Sequence, residues 1–351
     1  MWKHLPKLGL SSSLVLPLLY VFETPSLSCD AKKPTLSSMV TAIDCEDGST
    51  VLPYEVPSRS TQVSRLRSEP FDVLVIGGGA TGAGCALDAA TRGLNVALVE
   101  RSDFASGTSG RSTKLIHGGV RYLEQAFKKL DVSSLHLVNE ALTERKYMLS
   151  AAPYMNRPLP IMIPLYTWWQ VPYMYIGTKV YDMVAGKNRY VPPSYFISKT
   201  EALYQFPTLL ADDLKGAIVY YDGQMNDTRM NLAIALTAVQ SGAAVSNRIE
   251  VMYLLKNKEG KVCGAHVKDT MSGDDKGWDI MAQVVINATG PFADAVRHMD
   301  VPEAETIIVP AAGVHVVLPD HMSPDRMGLI IPETKDGRVL VRRYTKTFSN
   351  V

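Results

Sequence analysis

Cysteine is scarce in this chain. Its 351 residues hold four (Cys29, Cys45, Cys85 and Cys263), none in C-x-x-C spacing. That scatter excludes a disulfide framework and a cysteine-built zinc site, and no metal ligand set is expected. Cys85 falls inside a helical pattern and reads as a small core residue. Excess charge is also missing: 36 Lys and Arg against 35 Asp and Glu leave a formal +1. Bulk electrostatics therefore imply no nucleic-acid partner. The N-terminal apolar run, Leu8 to Phe22, is interrupted by Pro17 and is short for a membrane span.

That run still carries a message. Lys3 and Lys7 precede it, it is rich in Ser and Leu, and no acid occurs before Glu23. This is a targeting pattern, and a secretory signal and a mitochondrial presequence both fit it. Asp30 to Pro70 mixes Ser, Thr, Pro and charge without periodicity and is expected to be a linker. The remaining length suffices for two intimately joined domains.

The stretch that organises the chain is Phe71 to Glu100, FDVLVIGGGATGAGCALDAATRGLNVALVE. Phe71 to Ile76 is a short β-branched apolar run, which predicts a buried strand. Gly77, Gly79 and Gly82 follow in G-x-G-x-x-G spacing. The first glycine permits a tight turn, the second close approach to a pyrophosphate, and the third close packing of helix on strand. Ala83 to Arg92 reads as a helix with Gly93 at its C-terminal cap, and Asn95 to Val99 as a second strand ending at Glu100. Glu100 can accept from a ribose hydroxyl while the helix start donates to phosphate oxygens. Together these features predict a dinucleotide site.

Next comes RSDFASGTSGRSTKLIHGGVRYLEQ. Gly107 to Gly110, Ser112 and Thr113 are small and polar and suit a loop that wraps a cofactor. Lys114, His117, Arg121 and Tyr122 follow at once, with Gly118 and Gly119 allowing close approach. Cations for a phosphate and an imidazole for proton transfer are what an anionic substrate beside a cofactor requires.

Further on, Leu130 to Ala152 predicts a helix, Leu159 to Tyr166 a strand, and Trp168 to Ala185 an aromatic helix. The last could pack on its own core or lie at a membrane surface. Ser198 to Gln205 reads as a short helix and Gly216 to Tyr221 as a strand. Asn226 or Asp227 is placed to cap a helix running to about Ser241. Ala243 to Leu255, Lys261 to Asp269 and Asp279 to Ile286 read as strands. Val284 to Asn287 then stops in Ala288, Thr289 and Gly290, a second place where a cofactor can touch backbone. Val309 to Leu318 and Val339 to Val341 suggest further strands, with His315 as a structural partner among apolar neighbours.

These segments carry a family resemblance. FDVLVIGGGATGAGCALDAATRG, ERSDFASGTSGRSTKLIHGGVRYLE, GAIVYYDGQMNDTRMNLAIALTA and INATGPFAD together resemble the FAD-dependent glycerol-3-phosphate dehydrogenases, the mitochondrial form above all. The likeness runs from about Phe71 to about Leu340. It implies an α/β fold: an FAD-binding Rossmann-type, doubly wound domain joined to a β-rich substrate or cap domain. The implied core spans about 71–150 and 200–300, the cap about 151–200 and 301–341. FAD would lie across Gly77 to Gly82 (with Gly78, Ala80 and Thr81), Glu100, Arg101, Thr108, Ser109, Ser112 and Thr113. Thr289 and Gly290 would sit near the flavin, and backbone near Glu250 near the adenine. Arg121 and Tyr122 would face the substrate phosphate, with Lys114 and His117 beside the flavin and His117 as first choice for the base. The implied reaction is oxidation of glycerol 3-phosphate to dihydroxyacetone phosphate, with electrons passed to ubiquinone. The implied location is the mitochondrial inner membrane, which selects the transit-peptide reading of the N-terminus.

After Leu340 the tail VRRYTKTFSNV departs from that family, and no EF-hand loop or other calcium site is seen. Such an ending predicts a C-terminally shortened form with an unpaired strand edge. Two alternatives therefore stand beside the main reading: a catalytically impaired truncated form, and an FAD-dependent amine or amino-acid oxidase on the same nucleotide fold.

Overall fold

The computed structural model describes residues 55–119, 132–186, 190–273, 275–316 and 327–331, with strand backbone also at Tyr20–Phe22, Ile43–Asp44, Thr50–Val51 and Leu340–Arg343. The described residues form two units. One lies within Leu14–Ser112 and Asp227–Ala311, the other within Thr113–Asn226 and Ala312–Val351.

The first, glycine-turn unit is built on a sheet of order Ala244–Ser246, Val96–Val99, Phe71–Ile76, Trp278–Asn287, Val262–Asp269 and Ile249–Lys256, with Tyr20–Phe22 pairing beside Trp278–Asn287. Its first four strands run parallel, and the last three form an antiparallel meander. Parallel strands are covered on both faces, and Leu74, Val75, Val96 and Leu98 are fully buried accordingly. One face carries helix Ala80–Thr91, whose Ala86, Ala89 and Ala90 pack with Ala238 and Val239 of helix Asp227–Gln240.

Two expectations change here. The single strand Ala243–Leu255 is broken at Asn247–Arg248, where Arg248 has φ +59, and its halves go to opposite ends of the strand order. The unstructured reading of Asp30–Pro70 fails at Arg59–Ser68, which is a helix. It escapes periodicity because Val63 and Leu66 are its only large apolar residues, both buried. Long-range polar contacts dock it instead: Gln62 Oε1 accepts from the Val245 N–H at 3.1 Å, and the Arg59 guanidinium donates to both Asp269 oxygens.

The second, mixed-sheet unit has the order Leu340–Arg343, Gly328–Ile331, Arg157–Leu165, Gly216–Gln224 and Leu115–Ile116, with Tyr195–Ile197 also pairing on Gly216–Gln224. Strand alternation divides its core. Leu159, Ile161, Ile163 and Leu165 pack with Val138, Leu142, Tyr181 and Ala185 of helices Val132–Ala151 and Gln170–Ala185. Met162 faces the other way, onto Ala202 and Phe206 at helix Lys199–Gln205. The division at residues 112/113 and 226/227 differs from the boundaries near 150 and 200 that the resemblance implies. The reason is pairing: Leu115–Ile116 joins Gly216–Gln224, so both segments belong to this sheet. The strand expected at Val309–Leu318 is absent from its described part, 309–316. Pro310 removes a ladder donor, Val309 and Val314 are exposed, and so is His315.

Candidate functional site

The glycine turn is specified by sterics. Gly77 has φ +107, and a Cβ there would lie 2.6 Å from the Ala288 carbonyl oxygen. A Cβ on Gly82 would lie 1.8 Å from the Gly77 oxygen. Only glycine fits either position. The first contact also brings Ala288, Thr289 and Gly290 against the turn. Thr289 is held by its N–H and hydroxyl on Asn287 Oδ1 (3.3 and 2.7 Å) and precedes the short turn Gly290–Phe292.

Helix Ala80–Thr91 starts three residues earlier than its pattern predicts, with Gly79 as its N-cap. The N–H groups of Gly79, Ala80, Thr81 and Gly82 therefore have no carbonyl partner inside the helix. That of Ala80 donates to Ser109 Oγ at 2.9 Å, so the Thr108–Gly110 turn closes over the helix start. A phosphate would find donors, the positive helix end and a cradle at Gly79, where a Cβ would lie 3.0 Å from Ser109 Oγ. Glu100 accepts from Gly78 N–H and Ser102 N–H, both at 2.7 Å, one on each oxygen. A carboxylate offers about four lone-pair sites, so acceptor capacity remains for a ribose. The next residue, Arg101, lies 3.9 Å from Glu250 and over the Phe292 ring at 5.3 Å. Ile249 N–H donates to the Glu100 carbonyl at 2.9 Å, which brings Glu250 to the same strand end. These residues fit the ADP half of FAD.

Two residues that the motif does not contain hold this turn. Asn231 Nδ2 donates to the Gly78 carbonyl at 2.9 Å. Asp227 Oδ2 accepts from Ser112 N–H and Oγ at 3.0 and 2.8 Å. Asp227 is legible in the sequence only as a helix cap, and Asn231 has no signal beyond lying one helical turn further on.

Among the substrate residues expected from sequence, the mixed-sheet unit holds Lys114 and His117, with Thr113 exposed at its first position. Lys114 has φ +58, and its carbonyl accepts from Met225 N–H at 3.0 Å. His117 is exposed, followed by buried Gly118 and Gly119. Arg121 and Tyr122 lie outside the described residues. Below His117 is a buried polar centre that sequence reasoning misses. Asp222 Oδ1 accepts from Gly118 N–H (3.2 Å), Tyr181 Oη (3.1 Å) and Arg145 Nη1 (2.5 Å). Arg145 also donates to the Tyr221 carbonyl at 3.1 Å. Arg145 and Asp222 are almost wholly buried. Burial pushes the Asp222 carboxyl above its usual range, against the pull of Arg145 and the Gly118 N–H. A Cβ on Gly118 would strike Tyr181 Oη at 2.3 Å and Leu142 at 2.4 Å, which explains the glycine. Four chain segments supply this centre, and no local spacing announces it. Among the described residues, no group of three His, Cys, Asp or Glu could hold a metal ion.

The chain is 56% identical over 315 residues to the mitochondrial glycerol-3-phosphate dehydrogenase of Bos taurus, covering 88% of this chain and 43% of that protein. It is 56% identical over 290 residues to the probable mitochondrial glycerol-3-phosphate dehydrogenase of Caenorhabditis elegans, covering 82% and 40%. The chain thus spans less than half the length of these curated relatives. Among solved structures, the glycerol-3-phosphate dehydrogenase of Bacillus halodurans complexed with FAD aligns with TM-score 0.55 and 26% identity, over 81% of this chain and 47% of that one. Glycine oxidase from Geobacillus kaustophilus aligns with TM-score 0.52 over 80% of this chain and 75% of that one; at 18% identity the likeness is one of fold. The model of a family described as FAD dependent oxidoreductase matches residues 72–350. A glycine turn shaped for a dinucleotide, an acid at the end of the second strand, and a family match over most of the chain lead to one assignment: the chain belongs to the FAD-dependent oxidoreductase family.

Proposed function

We propose that this chain is a form of mitochondrial glycerol-3-phosphate dehydrogenase, oxidising glycerol 3-phosphate to dihydroxyacetone phosphate. The observation that carries this reading is the cationic segment Lys114 to Tyr122, which follows the cofactor loop in a chain 56% identical to relatives of that name. Bound FAD supplies the two-electron acceptor for the C2 hydride. Arg121 and Tyr122 hold the substrate phosphate. Lys114 polarises the C2 oxygen, and a ring nitrogen of His117 takes its proton. Ubiquinone receives the electrons at the mitochondrial inner membrane.

Support for a membrane surface comes from the aromatic helix. Trp168, Trp169, Ile176 and Met183 are exposed at and along Gln170–Ala185, the chemistry of an interfacial contact. No helix among the described residues is long and apolar enough to cross a membrane. The test is anaerobic bleaching of the flavin. Glycerol 3-phosphate is expected to bleach it and amino acids are not; the reverse would assign the amine-oxidase alternative. His117→Ala is expected to slow flavin reduction about a hundredfold or more while FAD stays bound, the usual range for losing a general base. Unchanged reduction removes His117 from that role.

A further inference from the structure

The glycine turn does not orient itself. Every peptide bond described is trans, so the carbonyl of Gly78 and the N–H of Gly79 point in opposite directions across one planar unit. The Gly78 carbonyl is held by Asn231 Nδ2 at 2.9 Å. Only the NH2 of an asparagine can donate, so the contact also fixes the amide's orientation. Asn231 is 2% exposed, and its Oδ1 has no partner among the described residues. A buried amide that leaves its oxygen unmatched is costly as a packing element, so its presence points to what its NH2 holds.

One helical turn earlier on the same face is Asp227, also 2% exposed. It grips Ser112 through N–H and Oγ, and Thr228 Oγ1 lies 2.8 Å from where a Gly110 Cβ would stand. Ser109, on the same loop as Ser112 and just ahead of Gly110, in turn caps the Ala80 N–H. One helix face thus touches both cofactor loops.

We propose that Asp227 and Asn231 form a two-point clamp that aims the phosphate donors of this unit. Asn231 pulls the Gly78 carbonyl inward and so turns the Gly79 N–H outward to the FAD pyrophosphate. Asp227 holds the 109–112 loop at the distance that lets Ser109 close over the helix start. Both act through the backbone and loop they hold, as positioning residues. The inference rests on the reading of this turn as the FAD pyrophosphate seat.

The test uses Asn231→Asp, which keeps size but places an acceptor against a carbonyl, in the full chain stripped of flavin. FAD, ADP and adenosine are titrated in turn. FAD and ADP are expected to weaken together by about tenfold to a hundredfold, the range for leaving one buried acceptor unpaired, with adenosine binding unchanged. Equal affinities of variant and wild type for FAD and ADP overturn the clamp. So does a parallel loss for adenosine, which would mark general collapse of the unit. A wild-type chain that binds neither FAD nor ADP overturns the underlying FAD reading instead. If the variant does not fold, amide hydrogen exchange in the wild type decides. ADP must slow exchange at Gly79 while Gly78, already bonded to Glu100, changes little; no slowing at Gly79 overturns the proposal.

Discussion

The two units solve the same problem of holding polar groups in place by different means. The glycine-turn unit uses backbone. Gly77, Gly79 and Gly82 lie close together in sequence, and the turn is shaped by bonds to Val99, Glu100, Ser109 and Asn231 and by close approach of the Ala288 backbone. The mixed-sheet unit uses buried charge. Its centre joins Gly118, Arg145, Tyr181 and Asp222 through side chains on two helices and a strand. The first arrangement fails by steric collision, the second by desolvation. That difference predicts which substitutions each unit tolerates.

The largest effect belongs to Gly82. A valine there must displace the Gly77 carbonyl, 1.8 Å from the first added carbon. Backbone cannot yield as a side chain can, and a cost above ~3 kcal/mol is expected. Gly82→Val should give a chain without flavin absorbance and with a strongly lowered melting temperature. A variant that kept bound flavin would show that the turn is not rigid, and the contrast with the second unit would break.

The buried ion pair ranks next. Arg145→Met alone strands the Asp222 carboxylate, 0% exposed, without its cation. Removing one partner of such a pair costs about 3–5 kcal/mol, whereas replacing both by apolar groups is often close to neutral. Arg145→Met with Asp222→Leu should therefore recover much of the stability lost by Arg145→Met, as read by urea midpoints. The double variant would still lose the acceptor for Gly118 N–H, so flavin reduction should stay impaired where stability returns. Additive losses would mean that the centre is held by packing and not by charge.

This contrast also accounts for what is legible in the sequence alone. Phe71–Ile76, Val96–Val99 and the glycine spacing are local signals, and hydrophobic periodicity reports them directly. Helix Val132–Ala151 is legible for the same reason, through Val138, Leu142 and Leu149. Arg145, on that same helix, is not: a single arginine in a helical pattern looks like a solvated face until Asp222, 77 positions away, is known to oppose it. Asn231 is invisible because its partner is a carbonyl, and any residue type can supply one. The break at Arg248 escapes because a non-glycine residue with positive φ carries no signature in composition.

Helix Arg59–Ser68 gives the smallest and most adjustable test, since its dock is polar and titrates. The Arg59 guanidinium reaches both Asp269 oxygens at 3.1 and 2.9 Å, with Asp269 buried and Arg59 half-buried. Burial alone pushes the Asp269 carboxyl up, but Arg59 and the Met271 N–H outweigh it and hold it below its ordinary value. An unfolded Asp titrates near ~3.9. A carboxyl depressed in the folded state stabilises fully above that value and loses its contribution as pH falls through the folded one. Arg59→Gln should thus cost about 1 kcal/mol at neutral pH, the upper range for a partly exposed pair. The gap between variant and wild-type urea midpoints should close as pH drops below about 4. A gap that stays constant into acid would assign the Arg59 contribution to its bond with the Asn247 carbonyl at 3.1 Å and not to the Asp269 carboxylate.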